Sequence, residues 1–249
     1  MNLLKYEFKR LFKSKGFYIS LAVCVILAVI SVLTQNLIYK ASLETEKPIS
    51  VFAIEVTKKA FGSSLVMMIA AIFTAIFVTD EYQTGTIKTV ITKGYSSNQI
   101  FIAKYLSSLV STLIFYFAYV FVTSQLANSF FDNKVTDSTL IISLLISLLL
   151  VVAYHTIYFS ISISTRKLGI AIALNIVGPT LVGLVLGMGD ALIKNESFKF
   201  TNYWLDSLIS NLTNLNTTNK ALILGLVLGV IYLGIAGTVG VFLNRRKEY

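Results

Sequence analysis

Six runs of apolar residues, each long enough to cross the hydrocarbon of a bilayer, limit this chain more than any other feature. They cover residues 17–38, 61–79, 105–127, 139–163, 168–188 and 221–243. A helix rises about 1.5 Å per residue, so roughly 20 such residues cover a core of about 30 Å. In lipid every backbone polar group needs an internal partner, and a helix supplies one. The runs therefore predict an all-α integral membrane fold with six transmembrane helices. A soluble fold would have to hide a chain that is 55% hydrophobic and 13% charged, with a mean hydropathy of +0.77. It would have only Pro48 and Pro179 to punctuate it. The first run is too long for a removable signal, and no small-x-small cleavage site follows it.

Lysine and arginine set the expected orientation. With the N-terminus inside, the cytoplasmic segments hold Lys5, Lys9, Arg10, Lys13, Lys15, Lys88, Lys93, Lys104, Arg166, Lys167, Arg245, Arg246 and Lys247 against Glu7, Asp80, Glu81 and Glu248. The outside set, Lys40, Lys47, Lys58, Lys59, Lys134, Lys194, Lys199 and Lys220, is balanced by Glu44, Glu46, Glu55, Asp132, Asp137, Asp190, Glu196 and Asp206. The whole formal charge of +9 thus falls on one side. In a soluble protein that charge would suggest nucleic acid. Here it suits an anionic membrane face, and no nucleic-acid partner is expected. Both termini are expected in the cytoplasm.

Residues 1–16 are expected to form an amphipathic interfacial helix, and 17–249 a six-span transmembrane domain. Leu4, Phe8, Leu11 and Phe12 recur at helical spacing, with Lys5, Lys9 and Lys13 on another face. Such a helix lies apolar side down with its cations toward lipid phosphate; a basic tail would not need the phenylalanines in register. Residues 39–60 read as an outside loop with a short helix. Residues 189–220 carry Leu192, Phe198, Phe200, Trp204, Leu205, Leu208, Ile209 and Leu212 at helix-like intervals. They are expected to form a re-entrant helical hairpin between spans five and six, the alternative being a surface loop. Gly178 and Pro179 are expected to kink span five, because proline removes a backbone bond. Gly183-x-x-x-Gly187 and Gly225-x-x-x-Gly229 allow close packing.

Much chemistry is missing. No G-x-x-x-x-G-K-[ST] loop is present, so ATP is not bound in the P-loop manner. HExxH and GxSxG are absent. One histidine and one cysteine cannot build a metal cluster. His155, in span four, has no acid beside it in any span, so bonding to a neighbouring helix is expected rather than a proton relay. Ion-coupled transport is disfavoured for the same reason. No catalytic, cofactor or metal residues are assigned.

The longest inward connection, residues 80–104, contains Glu81-Tyr82-x-x-Gly85-Thr86-x-Lys88, then Lys93-Gly94-Tyr95-Ser96. With the basic N-terminal helix and the apolar segment before span six, this order resembles the permease subunit of ABC-2 type ATP-binding cassette exporters over essentially the whole chain. Where the family commonly carries arginine at the end of the loop motif, this chain has Ser97. The resemblance implies a cytoplasmic coupling helix between spans 2 and 3 that docks on a separate ATPase. Glu81 would start that helix, Gly85 would permit close approach, and Tyr82, Thr86, Lys88 and Lys93 would complete the coupling residues. It also implies ABC ATPase subunits that hold ATP and Mg, with no cofactor in this chain. A second permease subunit, identical or related, and a bacterial cytoplasmic membrane follow as well. General likeness is strongest to exporters of amphipathic peptides, the lantibiotic-immunity and phenol-soluble modulin group; export of lipids or hydrophobic drugs is the alternative. Two further classes compete: a non-transporting scaffold or sensor that binds an ATPase, and an intramembrane enzyme using His155.

Overall fold

The computed structural model describes residues 3–43, 50–132, 135–193 and 198–246. Pro48, Glu44, Glu46, Lys47, Lys134, Lys194, Glu196, Lys247 and Glu248 lie outside the described residues. In chain order the helices are α1 (Leu3–Lys13), α2 (Lys15–Leu43), α3 (Ala53–Phe61), α4 (Ser64–Gln83), α5 (Ile87–Thr92), α6 (Ser97–Phe130), α7 (Leu140–Thr165), α8 (Leu168–Ile193), α9 (Leu205–Leu212) and α10 (Asn219–Arg246). Phe200–Tyr203 form a 3-10 turn ahead of α9. No strand occurs among the described residues; a single bridge joins Phe52 to Asp132.

Six helices are long and apolar enough to cross a membrane: α2, α4 with α3 before it, α6, α7, α8 and α10. The predicted all-α, six-span architecture is therefore what the chain adopts. One boundary moves. Span two was expected from Phe61, but Phe61 closes α3, and α4 starts at Ser64 after a break at Gly62. The Gly62 amide donates to Lys59 O at 3.3 Å and ends the first helix. The break falls on Gly62-Ser63-Ser64, small and hydroxyl residues that suit a turn. The other helices outrun their apolar stretches. At the start of α6, Ser96 forms a capping box with Gln99: the Gln99 amide donates to Ser96 Oγ at 3.4 Å, and the Ser96 amide donates to Gln99 Oε1 at 3.0 Å.

α4 is the central post. It packs on α2, α6, α7 and α8, and α10 lies along α7. Buried residues make up 61% of the most apolar stretch of the α3–α4 span, against 22% in α2, 17% in α10 and 11% in α8, so those three turn most of their surface away from the bundle. Near one end Phe17, Phe73 and Phe115 from α2, α4 and α6 meet with ring centroids 5.3–6.2 Å apart. Edge-on and tilted packing of this kind adds to the burial term. α8 runs through Gly178 and Pro179 as one α-helix from Leu168 to Ile193.

The small-residue pairs differ in use. Gly225 and Gly229 face α7: a Cβ on Gly229 would sit 3.0 Å from Leu149 Cδ2 and 3.2 Å from Leu150 Cδ2. Gly183 and Gly187 face Trp204 and Thr201 at ordinary contact distance, not a neighbouring span. Gly229→Leu is therefore expected to destabilise the protein by about 1–3 kcal/mol through overpacking, while Gly187→Leu changes it by less. Unfolding midpoints of the two variants in the same detergent check the ranking, and equal losses would contradict the assigned contacts.

Between α8 and α10 the expected hairpin takes the form of a 3-10 turn and one α-helix. Leu205, Leu208, Ile209 and Leu212 are buried, and α9 packs on α10, α7 and α3. Their periodicity reports a protein-facing side. Apolar spacing alone cannot tell a helix that faces lipid from one that faces protein.

Candidate functional site

One end of the bundle gathers α1, the end of α4, α5 and the start of α6. Gly85 (φ +71°) and Gly94 (φ +83°) flank α5, a left-handed backbone that glycine adopts without a Cβ clash. α5 is amphipathic over six residues. Ile87 and Val90 are buried with Leu3, Ile100 and Ala103, and Leu4, Tyr6, Tyr82, Ile91 and Tyr95 pack around them. Lys88, Thr89, Thr92 and Lys93 face outward. The loop helix thus rides on α1 with its basic, hydroxyl-bearing face free of the bundle. Thr84 and Thr86, also exposed, lie 3.0 Å apart through their hydroxyls.

Beneath this helix lies a charge cluster that sequence reasoning did not foresee. Arg10 Nη1 contacts Glu7 Oε2 at 2.9 Å and Glu81 Oε1 at 2.7 Å. Lys104 Nζ contacts Glu7 Oε1 at 3.2 Å and is also bonded to Glu81 Oε2. Tyr6 donates to Glu81 Oε1 at 3.0 Å, and the Arg10 guanidinium lies 4.1 Å over the Phe77 ring. Two cations and two carboxylates close a neutral ring that joins α1, α4 and α6. Lys104 is fully buried, Glu7 is 1% and Glu81 2% exposed. Charges this deep persist only when each has partners. Burial and the Glu81 carboxylate beside it raise the Tyr6 pKa, so the phenol remains a donor.

Glu81 therefore does not start the loop helix. It sits in the last turn of α4, and α5 begins after Gly85 and Thr86. An acid ahead of a turn fits a helix start, but the cations of α1 and α6 draw it inward instead. Tyr82 sits at the same corner, with Arg166 4.9 Å over its ring. Of the expected interfacial face, Leu11 is fully buried in protein, Leu4 and Phe8 are half-buried, and Phe12 is exposed. The side of α1 that meets the bundle is Leu3, Glu7 and Leu11.

A second buried pair lies at the opposite end. Lys58 Nζ contacts Asp137 Oδ2 at 2.7 Å, Thr217 Oγ1 at 2.9 Å and Thr139 Oγ1 at 3.2 Å. Asp137 accepts from the Thr139 amide and hydroxyl, each at 2.7 Å, and from the Asn216 amide at 3.2 Å. These contacts bind α3 to the segments before α7 and α10. Burial pushes the Asp137 carboxyl up, but the Lys58 ammonium and the three donors outweigh it and hold it at about 2. Inside the bundle both His155 nitrogens are engaged by α6, Nε2 with Ser108 Oγ at 3.2 Å and Nδ1 with Thr112 Oγ1 at 2.9 Å. The histidine joins two helices as expected. Among the described residues no group of acids, histidines and cysteines could hold a metal ion.

These features define a class: an all-helical, multi-pass membrane protein whose charge-anchored loop helix presents a basic face at one end. Residues 3–190, from α1 into the last turn of α8, match the family model described as ABC-2 family transporter protein. The chain belongs to the ABC-2 transporter family, so it is a membrane transport component that works with an ABC ATPase. No match is found among curated proteins.

Proposed function

We propose that this chain is the permease subunit of an ATP-driven exporter in a bacterial cytoplasmic membrane, with both termini in the cytoplasm. The observation that carries this is the outward face of α5, with Lys88, Thr89, Thr92 and Lys93 held over the buried ring of Glu7, Arg10, Glu81 and Lys104. Because α5 packs on α1 and the ring ties α1 to α4 and α6, a push on α5 reaches two spans through side chains in direct contact. Two permease subunits, identical or related, pair around a pathway, and two ATPase subunits bind beneath them. The ATPases hold ATP and Mg; this chain needs no cofactor. Closure of the ATPase dimer moves both α5 helices and rocks the spans, so a cavity alternates between inner and outer access. The cargo enters sideways from lipid. An amphipathic peptide suits spans rich in apolar and hydroxyl groups with few fixed charges. Lipids and hydrophobic drugs share that chemistry and form the second reading.

On this reading Lys88 and Lys93 meet acidic groups of the ATPase, so Lys88→Glu/Lys93→Glu is expected to lower co-purification of the neighbouring-gene ABC ATPase by about ten-fold or more. Both side chains are exposed, so the unfolding midpoint should stay put. Unchanged ATPase recovery by the double variant would remove α5 as the docking face. No recovery by the wild-type chain would remove the motor altogether. Stimulation of ATP hydrolysis by added cargo separates a transporter from a scaffold that merely binds an ATPase.

A further inference from the structure

A cavity of about 280 Å³ between α4, α7, α8 and α9 carries polar groups that the coupling end does not use. Tyr154, Tyr158, Asn175 and Asp206 line it, with Leu65 and Met68 at its apolar edge. Asp206 accepts from the Tyr154 hydroxyl and from Trp204 Nε1 at 3.1 Å. Unlike Glu7, Glu55, Glu81 and Asp137, it meets no lysine or arginine among the described residues. The Asn175 side chain is 1% exposed. Its amide nitrogen donates to Ala71 O at 3.2 Å and Ser162 Oγ at 3.0 Å, while Oδ1 has no partner. The hydroxyl of Tyr158, a residue 4% exposed, has no hydrogen-bond partner among the described residues. Its ring stacks on Tyr154 with centroids 5.7 Å apart.

The inventory leans toward acceptors, with the Tyr158 hydroxyl able to give or accept. The Tyr154 proton is committed to Asp206, so that hydroxyl offers the cavity only lone pairs. A carboxylate, an orphan amide oxygen and two aromatic rings all favour a positively charged N–H donor. Asp206 is exposed on α9, and no lysine or arginine lines the cavity to balance it. We infer that this cavity is a subsite for the ammonium or guanidinium group of an amphiphile whose apolar remainder lies over Leu65 and Met68. The volume admits a head group or one side chain, not a whole peptide. The inference rests on the permease reading only in treating the bound amphiphile as cargo.

The test uses the purified full chain in detergent micelles, with dodecylammonium, dodecanol and dodecanoate as probes. Trp204 is the sole tryptophan and lies against Asp206, so its emission reports occupancy. Equilibrium dialysis of radiolabelled probe is the deciding readout, because Asp206→Asn alters the partner of the reporter itself. Wild type is expected to bind dodecylammonium about ten-fold or more tighter than dodecanol. Asp206→Asn should bring the two within about two-fold. Tyr158→Phe, which keeps the ring, should weaken the ammonium alone and carries the test if Asp206→Asn does not fold. Equal affinities in wild type, a preference for dodecanoate, or an ammonium preference that survives these variants would overturn the subsite. ATPase co-purification from the same preparation separates the two proposals. Ammonium binding without ATPase docking keeps the subsite and removes the motor; docking without ammonium preference does the reverse.

Discussion

Lys104→Met is expected to destabilise the folded protein by about 3–5 kcal/mol, the usual cost of leaving a buried ion pair with one partner. Methionine matches the volume, so the loss is electrostatic. Glu7 and Glu81 would then share Arg10 alone while remaining almost wholly inaccessible. Adding Glu81→Gln removes the surplus negative charge, and the double variant should recover about 1–3 kcal/mol relative to the sum of the single losses. Denaturant unfolding in micelles of the wild type, both singles and the double measures that coupling. Additive losses would mean that the residues do not act as one ring. The same series should also weaken ATPase stimulation, because the ring fastens the support of α5 to α4 and α6.

Lys58→Met at the other end should be comparably costly, again about 3–5 kcal/mol. It strands the Asp137 carboxylate with only neutral donors in a buried site. The pair also carries a pH signature. The Asp137 pKa is held at about 2 in the folded protein and is about 4 in an unfolded chain. A depressed carboxyl stabilises the fold fully above the unfolded value, and that contribution is lost as pH falls from about 4 through about 2. Acid titration of the unfolding midpoint should therefore show a decline in that window that Asp137→Asn lacks. An identical decline in the variant would assign the effect to other carboxylates.

The spans were legible because lipid imposes a length and a composition that no tertiary contact has to supply. A helix in the 80–104 connection was expected only from the family resemblance, and its bounds were not legible: Gly85, read as a point of close approach, instead precedes α5. Nor were the charge clusters. Lys58 counts as one more outside cation in the sequence, and its partner lies 79 residues away. Glu7 reads as an acid among the cations of a surface helix, yet it is buried beside Lys104 at the start of another span. Glu81 sits where a helix start would suit an acid, and only the fold shows that α4 runs on past it. Local pattern reports the environment of a segment. The partner of a buried charge depends on which segments meet, and this chain has no repeat or metal spacing to betray that. The α9 residues make the same point: their apolar spacing was plain, but the surface they cover belongs to α10, α7 and α3.

The uneven burial of the spans has a consequence for how such a sequence can drift. The span that ends in α4, with buried residues filling 61% of its most apolar stretch, must satisfy neighbours on nearly every side, whereas α8, at 11%, meets few side chains of its own chain. Exchanges among leucine, isoleucine and valine along the outer face of α8 disturb no packing within the chain, while the same exchanges in α4 alter shapes that several helices must fit. The central post is then the slow-moving part of the alphabet and the outward-facing helices the fast one. Distant relatives would keep a recognisable second span long after the fifth has been rewritten.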